Sequence, residues 1–295
     1  MNSPCLSNAE LIDLEIFAAQ IRIKTIEMIA AVGKGHVGGS MSIADAVAVL
    51  YGSAMRYDPA NPKWKMRDRL VYSKGHSGPA LYAALAIKGF FPQEWLKRMN
   101  QIGSNLPSHV HARLTPGVDV STGSLGQGLS VAVGLAMADR LDGRDSYVYC
   151  VMGDGECQEG QVWEAAMFAG NHILNRLIVL VDNNKRQCSG ELKKINDVGD
   201  LGRKFKDFGF DVFEVNGHDL AQIDVAIRQA KQNTFKPSVI ILDTIKGKGC
   251  SFAEQMADNH NITVNTEQAV AAVKILETRI DDLNDKRERG HVNEN

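Results

Sequence analysis

The sequence is short of everything that would tie it to a nucleic acid, a membrane or an oxidising compartment. Its five cysteines (Cys5, Cys150, Cys157, Cys188, Cys250) include no CxxC pair, which argues against a zinc site or a disulfide framework and fits a reducing cytosol. Charge of neither sign dominates. Lys plus Arg number 33 against 35 for Asp plus Glu, a formal net charge of -2, so no basic footprint for nucleic acid or an anionic bilayer is present. No apolar run approaches the roughly 20 residues that span a bilayer, and residues 1–23 lack the basic start and apolar core of an export signal. Internal repeats, low-complexity tracts and Pro/Gly/Ser linkers are missing too. What is left is a cytoplasmic, small-molecule role. With 295 residues and 44% hydrophobic content there is material for one large core, so a single domain over residues 1–295 is expected.

Ser7 with Glu10 three residues on is a capping-box signal. Leu11, Leu14, Ala18, Ile21 and Met28 follow at helical spacing until Gly33. A loop over 34–40 and a second helix from Ile43 to about Met55 are expected next, before the breaks at Pro59 and Pro62. Short apolar runs at 70–72, 147–152, 177–181, 212–215 and 239–242 read as buried strands, and helical patterns at 79–87, 127–141, 158–169 and 220–232 fall between several of them. That alternation predicts an α/β fold: a doubly wound, mostly parallel sheet with helices on both faces. A last helical pattern begins at Thr266, and residues 281–295, almost wholly polar, read as a solvated end.

The strongest chemical signal lies at two strand ends. One strand runs out into Gly153, Asp154 and Gly155; the next runs into Asp182, Asn183, Asn184 and Lys185. Loops at the carboxyl ends of neighbouring parallel strands face one crevice. Magnesium takes six hard oxygens, usually only one or two of them from carboxylates, with phosphate oxygens and water completing the set. Asp154 and an Asn carbonyl suit that, although Asp182 has the same chemistry. Glycines beside Asp154 let backbone approach a diphosphate. A bare Gly-Asp-Gly is also a common turn, and the Asn pair could be one.

The full stretch GDGECQEGQVWEAAMFAGNHILNRLIVLVDNN resembles the thiamine-diphosphate signature of transketolase-like enzymes, and GHVGGSMSIAD, DRLVYSKGHSGPALYAAL and TPGVDVSTGSLGQGLSVAVGLAMA resemble further transketolase segments. The resemblance implies a thiamine-diphosphate-binding fold of the diphosphate (PP) type. It implies magnesium (or calcium or manganese) held by Asp154, Asn184 and the backbone carbonyl of Arg186. Cofactor contacts are implied for His76, Gly123, Ser124, Leu125, Gly126, Gly153, Asp154, Gly155, Glu156, Asn184 and His260. On physical grounds alone, Gly123–Gly128 ahead of a small-residue helix offers backbone amides to an anion, with tight helix packing as the bland alternative.

Four of the eight histidines, His36, His76, His109 and His260, fall where the family places active-site histidines, and imidazole suits proton traffic near neutral pH. The other four, His111, His172, His218 and His291, keep the ordinary reading of surface or structural residues. Val110 and His111 depart from the family pattern after His109, which points to an unusual ketose donor, and Asn261 departs after His260. Glu159 and Glu164 are solvated or capping carboxylates on the bland reading; the resemblance puts them at a subunit interface.

A full-length transketolase continues into a pyrimidine-binding domain and a third domain, and this sequence stops where the first should end. The implied protein is therefore the N-terminal subunit of a split transketolase in an α2β2 heterotetramer. It would move a two-carbon ketol unit from a ketose to an aldose, with sugar phosphates as the expected substrates, alongside a partner chain that carries the pyrimidine-binding domain. The alternatives are a subunit of a deoxyxylulose-phosphate synthase-like or 2-oxo-acid dehydrogenase-like enzyme, or a non-catalytic cofactor-binding regulatory subunit.

Overall fold

The computed structural model describes residues 6–293, with side chains to residue 289; Cys5 and the His291 side chain lie outside the described residues. The first helix, Asn8–Val32, starts and stops as its sequence directs. Ser7 Oγ accepts from the Glu10 N–H while the Glu10 carboxylate accepts from the Ser7 N–H at 2.8 Å. Gly33, at φ 83°, ends it in the left-handed region with its N–H shared between the Ile29 and Ala30 carbonyls.

Five strands form the central sheet: β1 (Arg69–Tyr72), β2 (Val148–Gly153), β3 (Leu177–Asn183), β4 (Asp211–Asn216) and β5 (Ser238–Asp243), in the order β1-β2-β3-β5-β4, all parallel. Because side chains alternate across a strand, a buried parallel strand must be apolar on both faces. Leu70, Tyr72, Tyr149, Val151, Ile178, Leu180, Ile240 and Leu242 point into one core, under the helices Asn8–Val32, Gly78–Ile87, Leu220–Gln232 and Thr266–Asn293. Val71, Val148, Cys150, Met152, Val179, Val181 and Ile241 point into a second, under Gln127–Leu141, Gly160–Asn171 and Leu201–Asp207. The expected doubly wound arrangement is what these two cores show.

Two expectations need correction. The segment 34–40 is not simply a loop: residues Val37–Ser42 form a fully buried helical turn, and the following helix is split into Ala44–Val49 and a π-type turn, Leu50–Ala54. Helix propensity in that glycine-rich stretch is poor, and burial overrides it. The polar C-terminal stretch, exposed at most of its described positions, is not a separate end beyond the last helix either. Helix Thr266–Asn293 runs on through it, because Leu276, Ile280 and Leu283 recur at helical spacing and pack inward. Arg287–Asp13 and Arg279–Glu15 then tie it to the first helix. Among the described residues no helix is long and apolar enough to cross a membrane.

Candidate active site

All five strands deliver their carboxyl ends to one edge of the sheet, and a cleft of about 320 Å³ opens there, within the range of ligand pockets. Behind its wall lies a buried ion pair. The Asp182 carboxylate, fully buried at the end of β3, accepts from Lys74 Nζ, from Ser42 Oγ at 2.6 Å, from Thr244 Oγ1 and from Asn184 Nδ2 at 3.2 Å. Burial pushes its pKa up, but Lys74 and these donors outweigh that and hold it below the usual carboxylate range. With its lone pairs occupied, Asp182 is a structural anion and is unsuited to be a metal ligand. Of the two, Asn184 is then the better candidate ligand.

Asp154 is in the opposite condition. It is 2% exposed, next to the Asp182 charge, and its carboxylate has two protein donors: the Gly155 N–H at 2.7 Å and the Lys185 N–H. Burial first, and the Asp182 charge second, push its pKa up to about 7. A buried carboxylate raised in this way either keeps its proton or takes a cation. The Asn184 amide faces the same cleft. Its Nδ2 donates to Asp182 and its Oδ1 accepts from the Arg186 N–H at 3.1 Å, so the orientation of the amide is fixed with an oxygen lone pair to spare. Lys185 between them has φ 64°, unusual for a residue with a side chain; this strained turn aims its N–H at Asp154. Among the described residues no cluster of three His, Cys, Asp or Glu side chains could hold a metal. The donors here are instead one carboxylate, one amide and whatever backbone and ligand oxygens join them, a hard-oxygen set that fits magnesium. A Cβ built on Gly153 meets nothing within 4 Å, so the backbone beside Asp154 is open to a bulky anion.

His36, His76, His109 and His260 come together on the opposite wall. His36 lies 5.4, 5.7 and 5.2 Å, ring centre to ring centre, from His76, His109 and His260, and His76 lies 4.9 Å from His260. Burial, reinforced by neighbouring imidazoles and lysines, lowers the pKa of His36 and His260 to about 4 and that of His76 further. These three rings are neutral at pH 7, so each offers one N–H donor and one acceptor. The buried His260 Nδ1 has no hydrogen-bond partner among the described residues, which leaves that position open.

Of the other residues singled out in the sequence, Gly123, Leu125, Gly155, Glu156, Glu159 and Arg186 line the cleft, while Ser124, Gly126 and Glu164 are not among its lining residues. Gly126, at φ 85°, donates its N–H to Glu156 Oε1 at 2.9 Å. Glu156 also accepts from Ser73 Oγ and the Gly153 N–H, so its carboxylate clasps three loops together at the edge of the cleft. Gly123 is needed for space: a Cβ there would stand 3.0 Å from His109 Cδ2. His111 does not line the cleft, and its Nδ1 accepts from the Arg113 N–H. Val110 is buried against Gly78 and Tyr82, so the departures at 110 and 111 add no imidazole to the site. Sequence reasoning missed two cations, Lys74 and Lys246. Both follow the carboxyl end of an apolar strand, a signal that was readable. Lys246 lines the cleft and donates to the Gln187 carbonyl at 3.2 Å; burial, aided by Lys74, lowers its pKa to about 8.

A family described as transketolase, thiamine diphosphate binding domain, matches residues 14–278, most of the chain. The chain belongs to the transketolase family. Within it, the chain is 51% identical over 266 residues to a 6-deoxy-6-sulfo-D-fructose transketolase subunit from Clostridium sp. (strain MSTE9), covering 90% of this chain and 97% of that one. Identity to a subunit of the apulose-4-phosphate transketolase from Phocaeicola vulgatus is 37%, over 92% and 96% of the two chains. The transketolase from Leishmania mexicana superposes with a TM-score of 0.83 at 31% identity, over 94% of this chain and 46% of that one. The chain thus spans nearly all of relatives named as transketolase subunits and about half of the solved transketolase chains.

Proposed function

We propose that this transketolase-family chain anchors magnesium and the diphosphate of thiamine diphosphate, and that a second polypeptide with the pyrimidine-binding domain completes the active site, in an α2β2 assembly in the cytoplasm. One observation carries the reading: a buried Asp154 carboxylate, left short of donors and raised by a neighbouring anion, opens onto the same cleft as Asn184 and four clustered histidines. Asp154, Asn184 and the Arg186 carbonyl would hold the metal. Lys246 and His260 would face the diphosphate, and Gly153 gives the backbone room for it. The subunit lengths and names of the relatives support the two-chain arrangement.

Bound thiamine diphosphate supplies the electron sink that lets a ketose give up a two-carbon unit to an aldose. The chain's own residues supply part of the remaining chemistry. The neutral imidazoles of His36, His76 and His260 donate to or accept from sugar hydroxyls, and one such ring can take a hydroxyl proton and return it. The 51% identity to a subunit named for 6-deoxy-6-sulfo-D-fructose makes a sulfonated ketose the first donor to test, ahead of pentose-phosphate substrates.

Donor-dependent consumption of an aldose, assayed with the chain alone, with the partner chain alone and with both, tests this. Both chains together should turn over in a magnesium-dependent way and either alone should show no more than background. Full turnover by the lone chain would refute the two-chain reading.

A further inference from the structure

Segment Thr244–Gly249 leaves β5 and passes behind the cleft, and the fold pins its backbone at four consecutive residues. The Ile245 N–H donates to His218 Nε2 at 2.8 Å, and the Lys246 carbonyl accepts from Asn259 Nδ2 at 2.8 Å. The Gly247 N–H donates to the Gly38 carbonyl at 2.9 Å, and the Lys248 carbonyl accepts from Arg22 Nε at 3.0 Å. Two of these four anchors converge on one carboxylate. Asp45 accepts from both Arg22 amino groups, at 2.8 and 2.6 Å, and from His218 Nδ1 at 2.7 Å. Since His218 Nε2 must accept from Ile245, its proton sits on Nδ1 and points at Asp45, which leaves a neutral ring in one fixed tautomer. Arg22 and Asp45 are 7% and 4% exposed, and none of the three residues lines the cleft.

Burying a charged pair and an imidazole stabilises little by itself, because desolvation offsets the attraction. What this network does achieve is to fix a backbone whose one cleft-lining side chain is Lys246. We propose that Arg22, Asp45 and His218 form a positioning network that sets the segment Thr244–Gly249 so that the Lys246 ammonium meets the anionic end of the cofactor. The inference rests on the reading of the cleft as a diphosphate site. The three residues touch no ligand themselves and act through Ile245 and Lys248.

The test is calorimetric titration of thiamine diphosphate, at saturating magnesium, into the chain assembled with its partner. His218→Asn keeps a donor where Nδ1 stood, so Asp45 stays paired, but removes the acceptor for Ile245. His218→Gln places an amide oxygen near the Nε2 position. Lys246→Ala should weaken binding about tenfold or more, the worth of a charge-assisted contact. His218→Asn should weaken it by a similar factor, with His218→Gln close to wild type. The double variant His218→Asn/Lys246→Ala should bind no worse than Lys246→Ala, because both changes remove the same interaction. Wild-type affinity in His218→Asn, or fully multiplicative losses in the double variant, would overturn the inference while leaving the cleft reading intact. Unchanged affinity in Lys246→Ala would overturn the inference alone, whereas no binding of thiamine diphosphate by the wild-type assembly would overturn the cleft reading. If His218→Asn does not fold, Arg22→Lys reads the same coupling from the other anchor, since it keeps a charge beside Asp45 but loses the Nε donor to Lys248.

Discussion

Replacing Asp154 with alanine is expected to weaken magnesium and thiamine diphosphate binding by more than about 100-fold, since loss even of a group that merely supports a metal ligand costs about 10- to 100-fold. The turnover of the two-chain assembly should fall with it. The same residue makes a second, independent signature in the metal-free chain. Its carboxyl, raised by burial and by Asp182 from an ordinary 3.8 to about 7, holds its proton more tightly when folded than when unfolded. The stability it contributes is therefore complete below about pH 4 and is lost as pH rises through about 7, a loss on the order of 4 kcal/mol. Chemical denaturation of the chelated wild type and of Asp154→Ala across that window should show the decline in the former and not in the latter, and magnesium with cofactor should abolish it. Parallel pH profiles would mean that Asp154 carries no such unmet charge.

The other large effect is on folding. Lys74 and Asp182 are 2% and 0% exposed and pair directly at the centre of the sheet edge. Removing one member of a buried pair strands the other's charge, at a cost of about 3–5 kcal/mol, a large part of the 5–15 kcal/mol that a domain has. Asp182→Ala should therefore show the larger drop in unfolding midpoint of the two aspartate variants, whereas Lys74→Met/Asp182→Leu, which leaves no stranded charge, should recover much of it. Equal losses in single and double variants would show that the hydroxyl and amide contacts to Asp182, and not the ion pair, supply the stability. Asp154 and Asp182 are two buried carboxylates in neighbouring loops with opposite needs. One is satisfied by four side-chain donors; the other has two backbone donors and faces the cleft.

Much of this was readable from sequence, for physical reasons that differ by element. Four of the five strands declared themselves because a strand buried on both faces has to be continuously apolar, and the edge strand β4 by its Val212, Phe213 and Val215 around an exposed Glu214; the first helix did so because Ser7, Glu10 and Gly33 mark its ends chemically. The metal loops were readable because parallel strands end at one edge, which brought Asp154 and Asn184 into a single cleft although about 30 residues separate them. What stayed hidden depended on partners far along the chain. The helical turn Val37–Ser42 exists because the surrounding core buries it, and its own composition argues against it. His218 looked like an ordinary histidine because its partners, Asp45 and Ile245, are distant in sequence. The loop-joining bonds of Glu156 to Ser73 and Gly126 were hidden for the same reason. Val110 and His111 suggested an altered sugar site, yet one is buried in the core and the other takes up a local backbone N–H.

Asp154 and Asn184 are held to share one divalent ion with the diphosphate, and everything else about the cleft depends on that. Anomalous diffraction from crystals of the two-chain assembly grown with manganese and thiamine diphosphate tests it directly. A single manganese peak is expected in the cleft, at about 2.0–2.2 Å from one Asp154 oxygen and from Asn184 Oδ1. A peak bound to Asp182, or cofactor seated in the cleft with no ion between those two side chains, would contradict it.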